Sequence, residues 1–143
     1  MKVCGVEIKG NDAIICIMSL NMGLYDIPKV RVPKLTVGDA SDAEEMRKFQ
    51  FAFAKLLEDY QVDKVVIKGR SLKGKFAGGA IGFKIEAAIQ LIADLDVDIV
   101  ASAHIKKTLE RSQVAIDFRD TGLKNYQQTA FETVFAHFEA KNH

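Results

Sequence analysis

Apolar positions in this chain recur first at every second residue and then at every third or fourth, and the change of period marks out its elements. From residue 2 to 9, Val3, Gly5, Glu7 and Lys9 fall on one side and Cys4, Val6 and Ile8 on the other, which predicts a strand. Gly10, Asn11 and Asp12 tolerate positive φ, and the apolar run 13–20 follows at once, so the two segments are predicted to pair as a hairpin. Residues 13–18 are apolar on both faces, as in a strand interior to a sheet. Residues 24–32 read as a third strand, and Pro28, which has no N–H for a ladder bond, assigns it to an edge.

Residues 33–40 form a turn-rich connection, and Ser41 with Glu44 three positions on has the form of a capping box. A helix is predicted from there. Met46, Phe49, Phe53, Leu56, Leu57 and Tyr60 recur at three- and four-residue steps, while Glu45, Lys48, Lys55, Glu58 and Asp59 fall largely elsewhere on the wheel, so the phenylalanines are core. Residues 64–68 are a fourth strand, with the continuously apolar centre Val65-Val66-Ile67 of a covered parallel strand. A second helix over 76–93 has Ile81, Ile85, Ala88, Leu91 and Ile92 as its buried stripe. Residues 97–101 are a fifth strand, and Ser102 is a candidate cap for a helix through Arg111. Residues 113–124 read as loop with a short extended piece, and a last helix over 125–141 carries Phe131, Val134, Phe135 and Phe138 on one face.

The strand–loop–helix–strand run of residues 62–108 organises the rest. Parallel strands joined by a helix require a right-handed crossover, which places the fourth strand beside the first. The expected architecture is α/β, βββαβαβα, with a mixed five-stranded sheet in the order 3-2-1-4-5 and helices on both faces, the ribonuclease H-like arrangement.

The length of 143 residues, 48% of them hydrophobic and 27% charged, fits one compact domain over 1–143. Twenty Lys and Arg against nineteen Asp and Glu leave a formal charge of +1, so any electrostatic partner must be argued from clustering. No charged start with an apolar core opens the chain, and no apolar run reaches the ~18 residues of a membrane span, so a cytoplasmic protein without a membrane partner is expected. Cys4 and Cys16 on the arms of the hairpin read as buried free thiols of a reducing compartment. His104, His137 and His143 have no metal-ligand spacing.

Clustering does appear in one place. Lys64, Lys68, Arg70, Lys73, Lys75 and Lys84 lie within 21 residues, with Asp63 the only acid beside them. Arg70-Ser71-Leu72-Lys73-Gly74-Lys75 leads into Ala77-Gly78-Gly79-Ala80 at a helix start, where free backbone N–H groups and the helix dipole favour an anion. This basic glycine-rich loop implies a phosphate partner, with Lys64, Arg70, Lys73, Lys75 and Lys84 as candidate nucleic-acid contacts. The spacing matches neither GxxxxGK[ST] nor GxGxxG, so nucleotide hydrolysis is unsupported.

The residues also resemble a family. Val3-Cys4-Gly5-Val6-Glu7-Ile8-Lys9-Gly10 resembles the Gly-hydrophobic-Asp-x-Gly strand that opens RuvC-type Holliday junction resolvases. Ile81-Gly82-Phe83-Lys84 stands where that family often has Leu-Gly-Gln-Ala, and Ser102-x-x-Ile105-Lys106-Lys107 where it has Ser/Ala-Pro-x-x-Val-Lys-Lys. The resemblance covers about two thirds of the chain, and an uncharacterised bacterial family of the same superfamily is the nearer home. It implies a homodimer acting on branched DNA, with divalent metals held by four carboxylates because two cations roughly 3.5–4 Å apart activate water and stabilise the leaving oxygen. Carried over by position, those four ligands fall on Glu7, Lys68, Asn125 and Gln128, of which only Glu7 is acidic. An ammonium has no lone pair to offer a metal, so Lys68 is expected to pair with Glu7 across the former metal site.

Three functional readings follow. The first is a nucleic-acid-binding protein without nuclease activity and without a metal cofactor. The second is a structure-selective nuclease using Mg²⁺ or Mn²⁺ at a rearranged site built from Glu7 with Asp117, Asp120 or Glu132. The third is a protein-interaction module.

Overall fold

The computed structural model of the chain describes residues 1–71 and 79–141. Strands β1 (Lys2–Lys9) and β2 (Asp12–Asn21) form the expected antiparallel hairpin, with Gly10 at φ 59° making the turn that a side chain disfavours. The expected edge strand over 24–32 is instead two short pieces. Strand β3 (Leu24–Asp26) pairs with Ser19, Leu20 and Asn21 of β2, whereas β4 (Lys34–Thr36) pairs with Asp12, Ala13 and Ile14 at the other end of the same strand. Pro28 and Pro33 bracket the gap. Neither can donate to a ladder, and the chain rejoins the sheet only where the Pro33 carbonyl accepts from Ile15 N at 2.9 Å.

Helix α1 (Ala43–Asp59) is capped by Asp42, whose carboxylate accepts from Glu44 N at 2.9 Å; Ser41, the expected cap, instead donates its hydroxyl to Asp39. Strand β5 (Lys64–Lys68) lies parallel to β1, helix α2 (Ala80–Gln90) crosses over, and β6 (Asp96–Val100) lies parallel to β5. Helix α3 (Ser102–Arg111) takes Ala101, not Ser102, as its cap residue. A 3₁₀ turn at Phe118–Asp120 replaces the expected extended piece, and a second at Asn125–Gln127 leads into α4 (Gln128–Lys141). The sheet runs β3-β2-β1-β5-β6 with β4 also on β2, which is the expected order once the inserted strand is counted.

Helices cover both faces. Cys4, Val6, Ile8, Ile15, Ile17, Val65 and Ile67 pack under Phe49, Phe53, Leu56 and Leu57 of α1 and Ile85 and Ile89 of α2. The buried side of α2 therefore holds Gly82, Ile85 and Ile89; Ile81 in its first turn lies exposed, and so does Leu91, which falls outside the helix because α2 ends at Gln90. On the other face Val3, Ile14, Cys16, Met18 and Val66 meet Ala130, Phe131, Val134, Phe135 and Phe138 of α4. The period-two alternation of a strand thus sends Cys4 and Cys16 to opposite sides of the sheet, where both are free thiols. Burial pushes Cys16 up to about 12 and raises Cys4 as well, so neither supplies a thiolate near neutral pH.

Gly5 sets how closely α4 approaches. A Cβ built there would stand 2.4 Å from the Ala130 carbonyl oxygen, so only glycine lets the helix backbone lie against β1. This contact positions the start of α4 over the carboxyl ends of β1 and β5. Among the described residues, no helix is long and apolar enough to cross a membrane.

Candidate functional site

Strand register brings four residues into one row across the sheet. Lys34 of β4 stands opposite Ile14 of β2, and Ile14 stands opposite Glu7 of β1. The parallel pairing of β1 with β5 runs from Val3 opposite Lys64 to Val6 opposite Ile67, which sets Lys68 one step on, level with Glu7. Ile14 and Val66 both pack under α4, so alternation turns Glu7 and Lys68 to that same side. With neighbouring strands about 4.8 Å apart, the row from Lys34 to Lys68 spans about 14 Å.

Helix α4 adds a carboxylate to this row. Glu132 is half-buried beside Lys68 and Glu7: burial raises its pKa above the ordinary carboxylate range, the Lys68 charge pulls it back, and the Glu7 charge pushes it up again. Lys68 and Glu132 also line a common pocket of about 370 Å³ with Ser102, Lys106, Glu110, Thr129 and Thr133. The expected contact between Lys68 and Glu7 is not formed. Among the described residues the ion pairs are Lys55 with Asp59, Lys64 with Asp96 and Asp98, and Arg119 with Asp117, so Lys68 acts on its acidic neighbours through space.

The remaining candidates, Asn125 apart, gather at a second pocket. Asn125 is exposed in the 3₁₀ turn, and Gln128 lines a second pocket, of about 810 Å³, with Asp117, Asp120 and Glu132. Asp117 is engaged by Arg119 at 2.8 Å, which holds its carboxyl below the usual range. Glu132, one turn past Gln128 on the same helix face, is thus the acid of α4 that reaches Glu7, and the four-residue step was the signal for it. The donor set at this point is two carboxylates and an ammonium. That is two carboxylates short of the four that a two-metal site of the expected kind uses, and the ammonium has no lone pair to add.

The basic cluster also separates in space. Lys64 sits at the far end of β5 from Lys68, its ammonium 2.7 Å from Asp98 and 3.5 Å from Asp96, because a five-residue strand puts its two ends about 13 Å apart. Lys84 faces α1 and donates to the Ala40 carbonyl at 2.5 Å. Arg70 folds back onto α2: its guanidinium carbon lies 4.4 Å from the Phe83 ring centroid, over Gly82, where a Cβ would meet Nη1 at 2.1 Å. Its Nε and Nη2 are buried and have no hydrogen-bond partner among the described residues. Lys73 and Lys75 lie outside the described residues. Lys106, absent from the sequence-based set, faces the same pocket as Lys68.

Residues 1–137 match the model of a family described as "Protein of unknown function (DUF3010)". No curated protein matches the chain. Among solved structures, RuvC of Thermus thermophilus superposes with a TM-score of 0.75 at 12% identity, over 99% of this chain and 96% of that one. The same protein in complex with Holliday junction substrate gives 0.69 at 13% identity, covering 99% and 96%. The Fowlpox virus resolvase with substrate Holliday junction DNA gives 0.55 at 13% identity, covering 99% of both chains. At these identities the likeness is one of fold, and that fold is the ribonuclease H-like arrangement of RuvC-type resolvases.

Proposed function

We propose that this chain, which belongs to the DUF3010 family, is a nucleic-acid-binding protein on a resolvase-like scaffold that does not cut its partner. The observation that carries the reading is Lys68, level with Glu7 in the central row and beside Glu132. A nuclease of this fold needs lone pairs aimed at divalent cations there. An ammonium offers none, and its charge offsets one of the two carboxylates, leaving little to attract a dication that releases its waters reluctantly.

The same substitution favours a polyanion. Lys68 and Lys106 line one pocket with Ser102 and Thr129, groups that contact phosphate oxygens readily, and with the acids Glu110 and Glu132. The loop lysines Lys73 and Lys75 are proposed as further backbone contacts from their sequence alone, and the junction-bound neighbours favour branched DNA as the first partner to try. With a net charge of only +1, affinity rests on these local contacts and falls steeply with salt. A homodimer bound to such a substrate belongs to the same proposal.

Anisotropy of a labelled four-way junction, titrated with protein at stepped salt, tests it. Binding that weakens linearly in log salt, and further in Lys106→Ala, is expected; binding absent at low salt would reject it. A second arm examines the site itself: Lys68→Glu is expected to gain Mn²⁺ binding that the wild type lacks. The runner-up, a metal-dependent nuclease using Glu7 and Glu132, draws on the proximity of those two acids and requires Mn²⁺-dependent cutting that Glu7→Gln abolishes.

A further inference from the structure

We propose that Tyr126, with Lys34 over its ring and Lys124 beside it, is a stacking platform for an unpaired nucleotide at the opposite end of the central row from Lys68. The inference rests on the nucleic-acid reading above and adds a contact surface to it.

Two segments far apart in sequence build the patch. Residues 27–38 and 121–131 carry Lys29, Arg31, Lys34 and Lys124, the first segment lying between Asp26 and Asp39 and the second between Asp120 and Glu132. The fold brings them together because β4 pairs with the start of β2 and the buried Gln127 amide donates to the Ile15 carbonyl at 2.9 Å. Lys34 Nζ then lies 4.9 Å from the centroid of the Tyr126 ring, and the Lys29 side chain comes alongside Gly122. Among the described residues Lys29, Lys34 and Lys124, all exposed, join no ion pair.

Tyr126 itself is placed unusually for an aromatic of this region. Phe131, Phe135 and Phe138 are buried, whereas Tyr126 is 40% exposed even with a lysine above it. Because Gln127 is turned into the sheet to hold the helix start, its neighbour Tyr126 is turned outward. An exposed ring with a cation over one face, and the further lysines Lys29 and Lys124 on the same two segments, suits a base stacked on the ring with its phosphate held by lysine. The row to Lys68 spans about 14 Å. At about 3.4 Å per nucleotide the two ends lie a few nucleotide steps apart.

The chain has no tryptophan, so Tyr126→Trp introduces a single reporter at this point. The full-length variant is titrated with a labelled oligothymidylate and with a duplex of equal length, reading anisotropy and tryptophan emission together. Quenching that saturates with the single-strand binding curve and is absent with duplex supports the platform. In parallel, Tyr126→Ala is expected to weaken single-strand binding about 5- to 100-fold, and Lys34→Ala to reduce the salt slope by about 1. Binding without any change in emission overturns the inference while leaving the nucleic-acid reading in place. Variants that lower the melting temperature yet keep wild-type affinity also overturn it, by making the Lys34–Tyr126 contact a structural latch. No binding of either ligand by the wild type rejects the broader reading and this one with it.

Discussion

Replacing Gly5 by Ala is expected to push α4 away from the sheet and take the site apart with it. A Cβ at this position would stand 2.4 Å from the Ala130 carbonyl oxygen, 2.8 Å from Val134 Cβ and 2.9 Å from Val134 N. Ordinary contacts lie at about 3.5–4.0 Å, so relief needs a shift of roughly 1 Å. Two of the three obstacles are helix backbone, and no change of rotamer moves them. The helix must retreat, and a gap of this size forfeits a quarter to a half of the dispersion energy along the face that carries Phe131, Val134, Phe135 and Phe138. Overpacking a core typically costs about 1–3 kcal/mol, and the backbone obstacles put this case at about 3 kcal/mol. At a urea m-value of about 1–3 kcal/mol/M, the unfolding midpoint falls by about 1 M or more. The retreat also carries Glu132 from Glu7 and Lys68, so its carboxyl should titrate differently in the variant. A loss below about 0.5 kcal/mol with unchanged m would refute the reasoning, because it would mean that α4 has room to spare over β1.

Other outcomes follow from the same contacts. Because the Lys68 charge lowers the pKa of Glu132, Lys68→Met should raise it further, read from the Glu132 carboxyl resonance by NMR; an unchanged or lower value would contradict the assigned neighbourhood. Glu132 has a folded pKa above its unfolded value of 4.5, so the stability it contributes is fully present below that pH and is lost as pH rises through the folded pKa. Melting temperatures of Glu132→Gln should lack that decline. Glu139 is buried and accepts from the hydroxyls of Tyr25 and Ser112, so Glu139→Ala should cost about 3 kcal/mol in chemical denaturation. Lys64→Ala should leave nucleic-acid affinity unchanged, since Lys64 is already engaged by Asp96 and Asp98.

Long periodic segments carried the fold in the sequence. The alternation of β1, the doubly apolar β2 and the Phe49–Phe53 stripe of α1 each had enough repeats to fix a face, and topology rules supplied the sheet order. Short or terminal features did not. Strand β4 has three residues, too few to show a period, and Asp42 took the cap from Ser41 because either can accept from a helix N–H. The candidate site was legible in type but not in place. Lys64, Lys68 and Lys84 are close in sequence, yet the length of β5 and the packing of α2 on α1 send the outer two to other surfaces. Lys34 and Tyr126 show the converse, since 92 residues separate them and only strand pairing and the Gln127 bond make them neighbours.

The most direct test of the central claim is to incubate the protein with labelled four-way junction, duplex and single-stranded DNA, with Mn²⁺ or chelator, and run native and denaturing gels side by side. A salt-sensitive shift of the junction with no new fragments in either condition is expected. Metal-dependent fragments would contradict it and return Glu7 and Glu132 to the role of ligands, and the absence of any shift at low salt would remove nucleic acid as the partner.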